Sequence, residues 1–287
     1  MVIESIIGPV KAEKRPWVLF IIGFFYSSVA LLLSLWVFER YASLVTVFLT
    51  ALATAPLFYF TIRYEEKKDV NMEGEISLLE EHGKAITFLM FLFIGISLSI
   101  AFWYIIMPEE YNQSLFGIQQ QTISDINSQI VAKTTTNAVS HFGITMKILS
   151  NNVKVLIFTL IFALIYGIGA IFILTWNASV IGVAIGNLIK GQVAQIASSI
   201  GLVSVSAYMH TTSFAIMRYF THGLLEIAAY FIAGLAGGII STAIIRKDIY
   251  SKNFEKILVD ALDLLVIAFA ILVFAAFVEV YITPRLF

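Results

Sequence analysis

Polar and charged residues in this chain fall in short bands, and between the bands run apolar stretches long enough to cross a bilayer. Residues 17–38 and 41–62 contain no charged side chain and are separated only by Glu39 and Arg40. A hydrocarbon core is about 30 Å thick and a helix rises about 1.5 Å per residue, so about 20 residues span it. The two stretches therefore predict a tight helical hairpin, with Pro56 kinking the second helix. The segment RYEEKKDVNMEGEISLLEEHGK, residues 63–84, is charged and is expected in water. Further spans are predicted at about 85–107, 153–176, 221–245 and 257–283.

Two segments fit less simply. Residues 108–149 are rich in Gln, Asn, Ser and Thr, yet Phe116, Ile123 and Ile130 recur every seven residues with Ile126 between. That spacing predicts an amphipathic helix lying on the membrane or on a partner. A solvated connection containing a short helix fits the same residues. In residues 177–217 an apolar stretch ends at Lys190-Gly191-Gln192 and a weaker one follows. The first covers 177–189, which as a helix reaches only about 20 Å, too short to cross alone.

Composition places the chain in its class. It is 59% hydrophobic and 13% charged, with a mean hydropathy of +0.90, against about 25% charged residues in soluble domains. Backbone polar groups in lipid must be satisfied internally, and barrel strands would read as short alternating segments. The fold class is therefore all-α, a polytopic membrane protein. A net charge of −1 gives no reason to expect a nucleic-acid partner. The absence of cysteine removes disulfides, thiolate metal sites and a cysteine nucleophile. The first apolar run follows Lys11, Lys14 and Arg15 and has no small-residue cleavage site, so it is expected to be retained.

Basic residues set the expected orientation. Lys11, Lys14 and Arg15 precede the first span, Arg63, Lys67, Lys68 and Lys84 separate the second from the third, and Arg246, Lys247, Lys252 and Lys256 precede the last. The positive-inside rule places all three groups in the cytoplasm and residues 108–149 outside. Parity then makes 177–217 cross once, with an interruption. That gives about seven crossings of the cell membrane, a cytoplasmic N-terminus and an external C-terminus; two re-entrant halves at 177–217 would make six. Residues 1–84 read as a hairpin plus cytoplasmic loop, and 85–287 as the membrane core.

Candidate chemistry is concentrated in RYFTHGLLEIAAYFIAGLAGG, residues 218–238. Residues four apart drift only about 40° on a helix, so Arg218, His222, Glu226 and Tyr230 form one stripe. Glu226 lies about 6 Å deeper than His222, and a carboxyl at that depth must be neutral, paired with His222, or facing protein or water. Exposure to lipid is excluded. Gly234, Gly237 and Gly238, including Gly234-x-x-x-Gly238, allow close approach of a neighbouring helix. The plain reading has His222 anchoring the helix at the interface and Glu226 hydrogen-bonding to another helix. The sharper ones are a solute or proton site, and a metal site. A catalytic zinc needs three protein ligands, and His210 is the only nearby third candidate.

Other positions carry weaker signals. Asp260 and Asp263, three apart on the last span with Lys256 nearby, suit an ion site or the helix N-terminus at the interface. Glu279 is placed near the outer end, within reach of headgroups. Asn112-Gln113-Ser114 is a glycosylation sequon. Gly167 and Gly169 in the fourth span, and Gly182-x-x-x-Gly186 after it, permit close helix contact. Trp176-Asn177 is read as an interface and turn, with Asn177 capping the next helix.

Ser150-Asn151-Asn152-Val153-Lys154, the glycines at 167 and 169, Trp176-Asn177-Ala178 leading into Gly182-x-x-x-Gly186, and His222-Gly223-Leu224-Leu225-Glu226 resemble the stage II sporulation protein M family over residues 85–287. The first hairpin is then an added N-terminal element. The resemblance implies a membrane component of an assembly that remodels peptidoglycan, with catalysis in partner proteins, although many relatives occur in cells that neither sporulate nor make peptidoglycan. It also implies that Asn152, Gly182, Gly186, His222 and Glu226 matter, without a catalytic role. The expectation is a non-enzymatic scaffold or permease-like subunit without cofactor or metal, touching lipid and other membrane subunits or copies of itself. The alternatives are an ion- or proton-coupled transporter using Glu226 and His222, and an intramembrane metallohydrolase.

Overall fold

The computed structural model describes residues 13–71, 75–134, 141–166, 169–200, 205–246 and 252–286. Among the described residues the regular structure is entirely helical. Helix α1 (Trp17–Phe38) is joined by a 3₁₀ turn (Glu39–Tyr41) to α2 (Ala42–Asn71), followed by α3 (Glu75–Ile106) and α4 (Glu109–Thr134). Then come α5 (His141–Tyr166), α6 (Ala170–Ile200), α7 (Val205–Ile245) and α8 (Lys252–Phe277). Helix α8 continues through a π-helical turn (Val278–Ile282) into α9 (Thr283–Leu286).

Among the described residues six stretches are long and apolar enough to cross a membrane, so the chain is a multi-pass membrane protein; the first of them, Trp17–Lys68, contains both α1 and α2. Ser34 and Thr46 would stand about 18 Å apart on a straight helix, but their hydroxyls are 2.5 Å apart. The chain therefore reverses between them, at Glu39–Tyr41, and the hairpin counts as two crossings. Among the described residues, helices α1, α2, α3, α5, α6, α7 and α8 are the seven that make up these long apolar stretches.

The boundary expected at Trp176-Asn177 is corrected. Helix α5 ends at Tyr166 and α6 begins at Ala170, so the chain reverses near Gly169. Asn177 caps nothing there: it lies inside α6, and its Nδ2 donates to the Ile173 carbonyl at 2.8 Å. Hydropathy runs continuously across this region, whereas helix propensity collapses at paired glycines, each roughly 1 kcal/mol worse than alanine. The segment 177–217 is shared between α6 and α7, which end and begin on either side of 201–204, outside the described residues. Helix α6 spans because it takes residues 170–176 from the stretch assigned to its predecessor.

Glycine contacts fix the packing. Helices α1, α3 and α6 run in the same direction, and the Gly23 and Gly95 backbones lie against the backbones of Leu92 and Phe20. A Cβ at Gly182 would stand 2.5 Å from the Ser97 carbonyl, and one at Gly186 2.7 Å from the Tyr104 ring. On α7, a Cβ at Gly234 would approach Ala170 at 3.0 Å, one at Gly237 Ala163 at 2.8 Å, and one at Gly238 Ile62 at 2.6 Å. Helix α7 is thus enclosed by α2, α5 and α6, and residues 229–239 are buried without interruption. Between α1 and α3, the Ser28 and Ser99 hydroxyls are 2.9 Å apart, and Trp103 Nε1 donates to Ser28 at 2.9 Å.

The charged segment 63–84 is not simply in water. Helix α2 continues to Asn71 and α3 starts at Glu75, so the helices carry these charges beyond the apolar runs. Arg63, Lys67 and Glu80 face outward, while Glu65, Glu66, Lys68 and His82 are buried. Pairing permits this burial. Lys68 Nζ lies 2.9 Å from Glu65, 2.8 Å from Glu13 and 3.1 Å from Glu81. His82 Nδ1 is 2.8 Å from Glu65, and Arg246 Nη1 donates to both carboxylate oxygens of Glu66 at 2.8 and 2.9 Å. The ends of α2, α3 and α7 are tied together there, at what is termed the Glu65 end.

Helix α4 covers the opposite end, beside Glu39–Tyr41. Leu115 and Phe116 are buried beneath it. Ser43 donates to Gln119 at 2.6 Å, Gln119 to Ser179 at 3.2 Å, and Gln120 to the Tyr104 hydroxyl at 2.8 Å. Residues 108–149 therefore supply a long helix bound to the chain's own bundle. Asn112 of the sequon is buried and donates to the Tyr104 carbonyl at 3.2 Å, so it is not presented as a glycan acceptor.

Candidate functional site

In the Glu39 half of the bundle α7 carries Glu226. Parallel packing of α5 and α7 through Ala163 and Gly237 brings Asn152 level with it. The Asn152 amide, 94% buried, donates from Nδ2 to Glu226 Oε1 at 2.5 Å. Antiparallel α8 supplies Glu279, whose side chain lines the same cavity as that of Glu226.

Glu279 stands on the π-helical turn Val278–Ile282. Such a turn accommodates an extra residue and shifts side-chain register, and it is frequent at functional sites. The Thr283 hydroxyl donates to the Val278 carbonyl, five residues back, at 3.2 Å. The carboxyl pair opens into a cavity of about 140 Å³ lined by Ile126 of α4, by Lys147, Ile148, Asn151 and Asn152 of α5, and by both glutamates. Ile126 is 45% exposed, so the cavity reaches the surface beside α4.

The stripe on α7 is distributed differently from the sequence expectation. His222 does not pair with Glu226; its Nδ1 lies 3.4 Å from the Thr283 hydroxyl. Arg218, one turn further out, is exposed. Tyr230, one turn deeper than Glu226, is buried. Gly223 is buried, and a Cβ added there would meet Ile181 Cδ1 at 3.9 Å, an ordinary contact. Gly167 lies outside the described residues, and Gly169 sits in the α5–α6 turn, where its carbonyl accepts from Phe172 at 3.2 Å. Glu279, assigned to the headgroups from sequence, is the residue of this cavity that reading missed. The available signal was the same as for Glu226: a lone acid inside an apolar span.

Asp260 and Asp263 belong to the other end. With His82, Leu79 and Leu264 they line a cavity of about 220 Å³ between α3 and α8. Sixteen residues of helix, about 24 Å, separate Asp263 from Glu279. His210 is exposed and twelve residues from His222, about 18 Å along α7. Among the described residues no group of three or more His, Asp or Glu side chains is placed to hold a metal ion.

Comparison with known proteins adds a family but no activity. The family model described as "Stage II sporulation protein M" matches residues 85–284. An uncharacterized protein of Methanocaldococcus jannaschii is 29% identical over 176 residues, which is 60% of this chain and 88% of that protein. No solved structure matches.

Proposed function

The chain belongs to the stage II sporulation protein M family, and we propose that it is a non-enzymatic, permease-like subunit of a membrane assembly, handling an ion or small solute in the cavity between α5, α7 and α8. The observation that carries this reading is that Glu226, held by Asn152, and Glu279 face one cavity. Ionisable residues inside membrane spans mark ion and proton paths by default. A purely mechanical scaffold has no use for two acids facing a shared cavity. The glycine-fitted helices around α7 supply the rigid frame.

In this reading the Glu65 end faces the cytoplasm, the N-terminus is cytoplasmic and α4 lies outside. The basic residues of segments 63–84 and 246–256 support that orientation. Partner subunits supply any chemistry. Mild-detergent pull-down of the tagged chain from native membranes tests the proposal, with a stoichiometric second protein, such as an ATPase, as the expected result. The same cavity favours one other reading, a stand-alone ion- or proton-coupled transporter. Cation or proton flux by the purified chain alone in liposomes, abolished by Glu226→Gln, would select the transporter and sink the subunit proposal.

A further inference from the structure

We propose that the Glu65 end of α2 binds the phosphate headgroup of an anionic phospholipid, on a strip formed by Tyr59, Arg63 and Lys67 and flanked by Lys14 and Arg15 at the start of α1. The outward side of α2 runs through Phe48, Leu52, Tyr59, Arg63 and Lys67, all of them exposed. Steps of four and seven residues keep these positions on one slowly winding helix face. Phe48 and Leu52 belong to the apolar run, Arg63 is the first charged residue after it, and Lys67 stands about 6 Å further along the axis. An acyl chain lying on the apolar part of this face therefore brings its headgroup to the two cations.

The aromatic ring and the guanidinium are already arranged together. Arg63 Nη1 donates to the Tyr59 hydroxyl at 3.3 Å, and the guanidinium carbon lies 5.6 Å from the Tyr59 ring centroid. Tyrosine is favoured at headgroup level, and here it holds the arginine at that depth while leaving further N–H donors for a phosphate. Lys68 donates to Glu13 at 2.8 Å, which sets the start of α1 beside the end of α2. Exposed Lys14, Arg15 and Trp17 therefore stand at the same membrane depth as the strip.

Charge selects an anionic headgroup over a zwitterionic one. By sequence, segment 63–84 holds more acids than bases. The two acids between Arg63 and Lys67 nevertheless turn inward, Glu65 to Lys68 and His82, and Glu66 to Arg246. Glu13 and Glu81 are engaged with Lys68 as well, and exposed Glu80 belongs to α3. Among the described residues, the surface that α1 and α2 share at this depth is thus basic. The hairpin's other end differs, because exposed Arg40 has exposed Glu39 as its immediate neighbour. An acidic soluble protein could meet the cations, but it would make no use of the apolar stripe that leads into them. Continuity with Phe48 and Leu52 favours a lipid.

The test uses the purified full chain in detergent micelles supplied with equimolar phosphatidylglycerol and phosphatidylcholine, with bound lipids counted by native mass spectrometry. The natural chain is expected to retain phosphatidylglycerol over phosphatidylcholine by about tenfold, since each basic residue at a membrane surface favours anionic lipid by about fivefold. Phosphatidylglycerol should also raise the thermal midpoint relative to phosphatidylcholine by mass action. Arg63→Gln should lower the preference about fivefold, and Arg63→Gln combined with Lys67→Gln should bring it close to parity. Arg40→Gln, at the opposite end of the same hairpin, should leave it unchanged. All three side chains are exposed, so the substitutions spare the core. Equal retention of the two lipids by the natural chain overturns the inference, as does a preference that survives the double substitution or falls as much in Arg40→Gln. If the substituted chains do not fold, the two-lipid comparison on the natural chain decides alone. An acidic soluble protein that co-purifies and is lost on Arg63→Gln, without any lipid preference, would give the strip to a protein and overturn the lipid assignment.

Discussion

Gly182→Ala and Gly191→Ala are the same substitution on the same helix, and the structure gives them opposite signs. Position 191 is open, with nothing within 4 Å of an added Cβ. There the change replaces the poorest helix former apart from proline by the best, a gain of about 1 kcal/mol. At 182 the new Cβ would meet the Ser97 carbonyl at 2.5 Å and the Ile100 Cβ at 2.9 Å, where ordinary contact begins at 3.4 Å. The shortfall against Ser97 is 3.4 − 2.5, or 0.9 Å, and the obstacle is backbone, which cannot rotate aside. Helices α3 and α6 must separate by about that distance, and overpacking of this kind costs about 1–3 kcal/mol. Set against the same propensity gain, Gly182→Ala should come out about 1 kcal/mol less stable than the natural chain, and about 2 kcal/mol less stable than Gly191→Ala. Thermal unfolding of both variants in one detergent measures the difference directly. A Gly182→Ala protein at least as stable as Gly191→Ala would refute the close contact of α3 and α6.

Three further outcomes follow from particular contacts. Arg246→Ala strands the buried carboxylate of Glu66, and breaking a buried pair costs about 3–5 kcal/mol, reduced to about 2 here because Arg246 is half exposed; adding Glu66→Gln should restore at least half of the loss in the same unfolding assay, and no rescue would argue against the pair. Asn152→Ala removes the donor to Glu226 and should lower stability by about 1–2 kcal/mol, checked by denaturant titration, with an unchanged midpoint counting against the contact. Because the chain has no cysteine of its own, Ser28→Cys with Ser99→Cys gives a clean cross-link test. The pair should oxidise to a disulfide that blocks maleimide labelling, whereas two thiols that both remain labelled would contradict the packing of α1 on α3.

The class of fold was legible because burial in lipid imposes one rule on long apolar runs, and α1, α2, α3, α7 and α8 follow it. The α5–α6 boundary was lost because hydropathy does not register the low helix propensity of glycine, and α5 ends at Tyr166 with Gly169 just before α6. Buried charge was also invisible along the sequence. Glu65 and Glu66 look like neighbours in a solvated loop, and only the return of His82 from α3 and Arg246 from α7 explains how they can be buried. Glu226 stood out as an acid among apolar residues, but the residues that share its cavity, Asn152 and Glu279, are 74 and 53 residues away. A spacing argument sees only neighbours on one helix. It therefore offered His222, which the tertiary structure gives to Thr283.

The two ends of the bundle bury carboxyl groups in different company, and the contrast bears on what each end is for. At the Glu65 end the acids meet Lys68, His82 and Arg246, an arrangement that holds helix ends together and asks for nothing more. At the other end Glu226 meets an amide and shares a cavity with a second acid. If packing alone were the requirement, two glutamines would fill the same space and make the same number of hydrogen bonds with no charge to desolvate. An amide pair would thus be the cheaper structural solution. What two carboxyls do that two amides cannot is take up and give back a proton. The cavity above them opens to the surface beside Ile126, so that proton has a path.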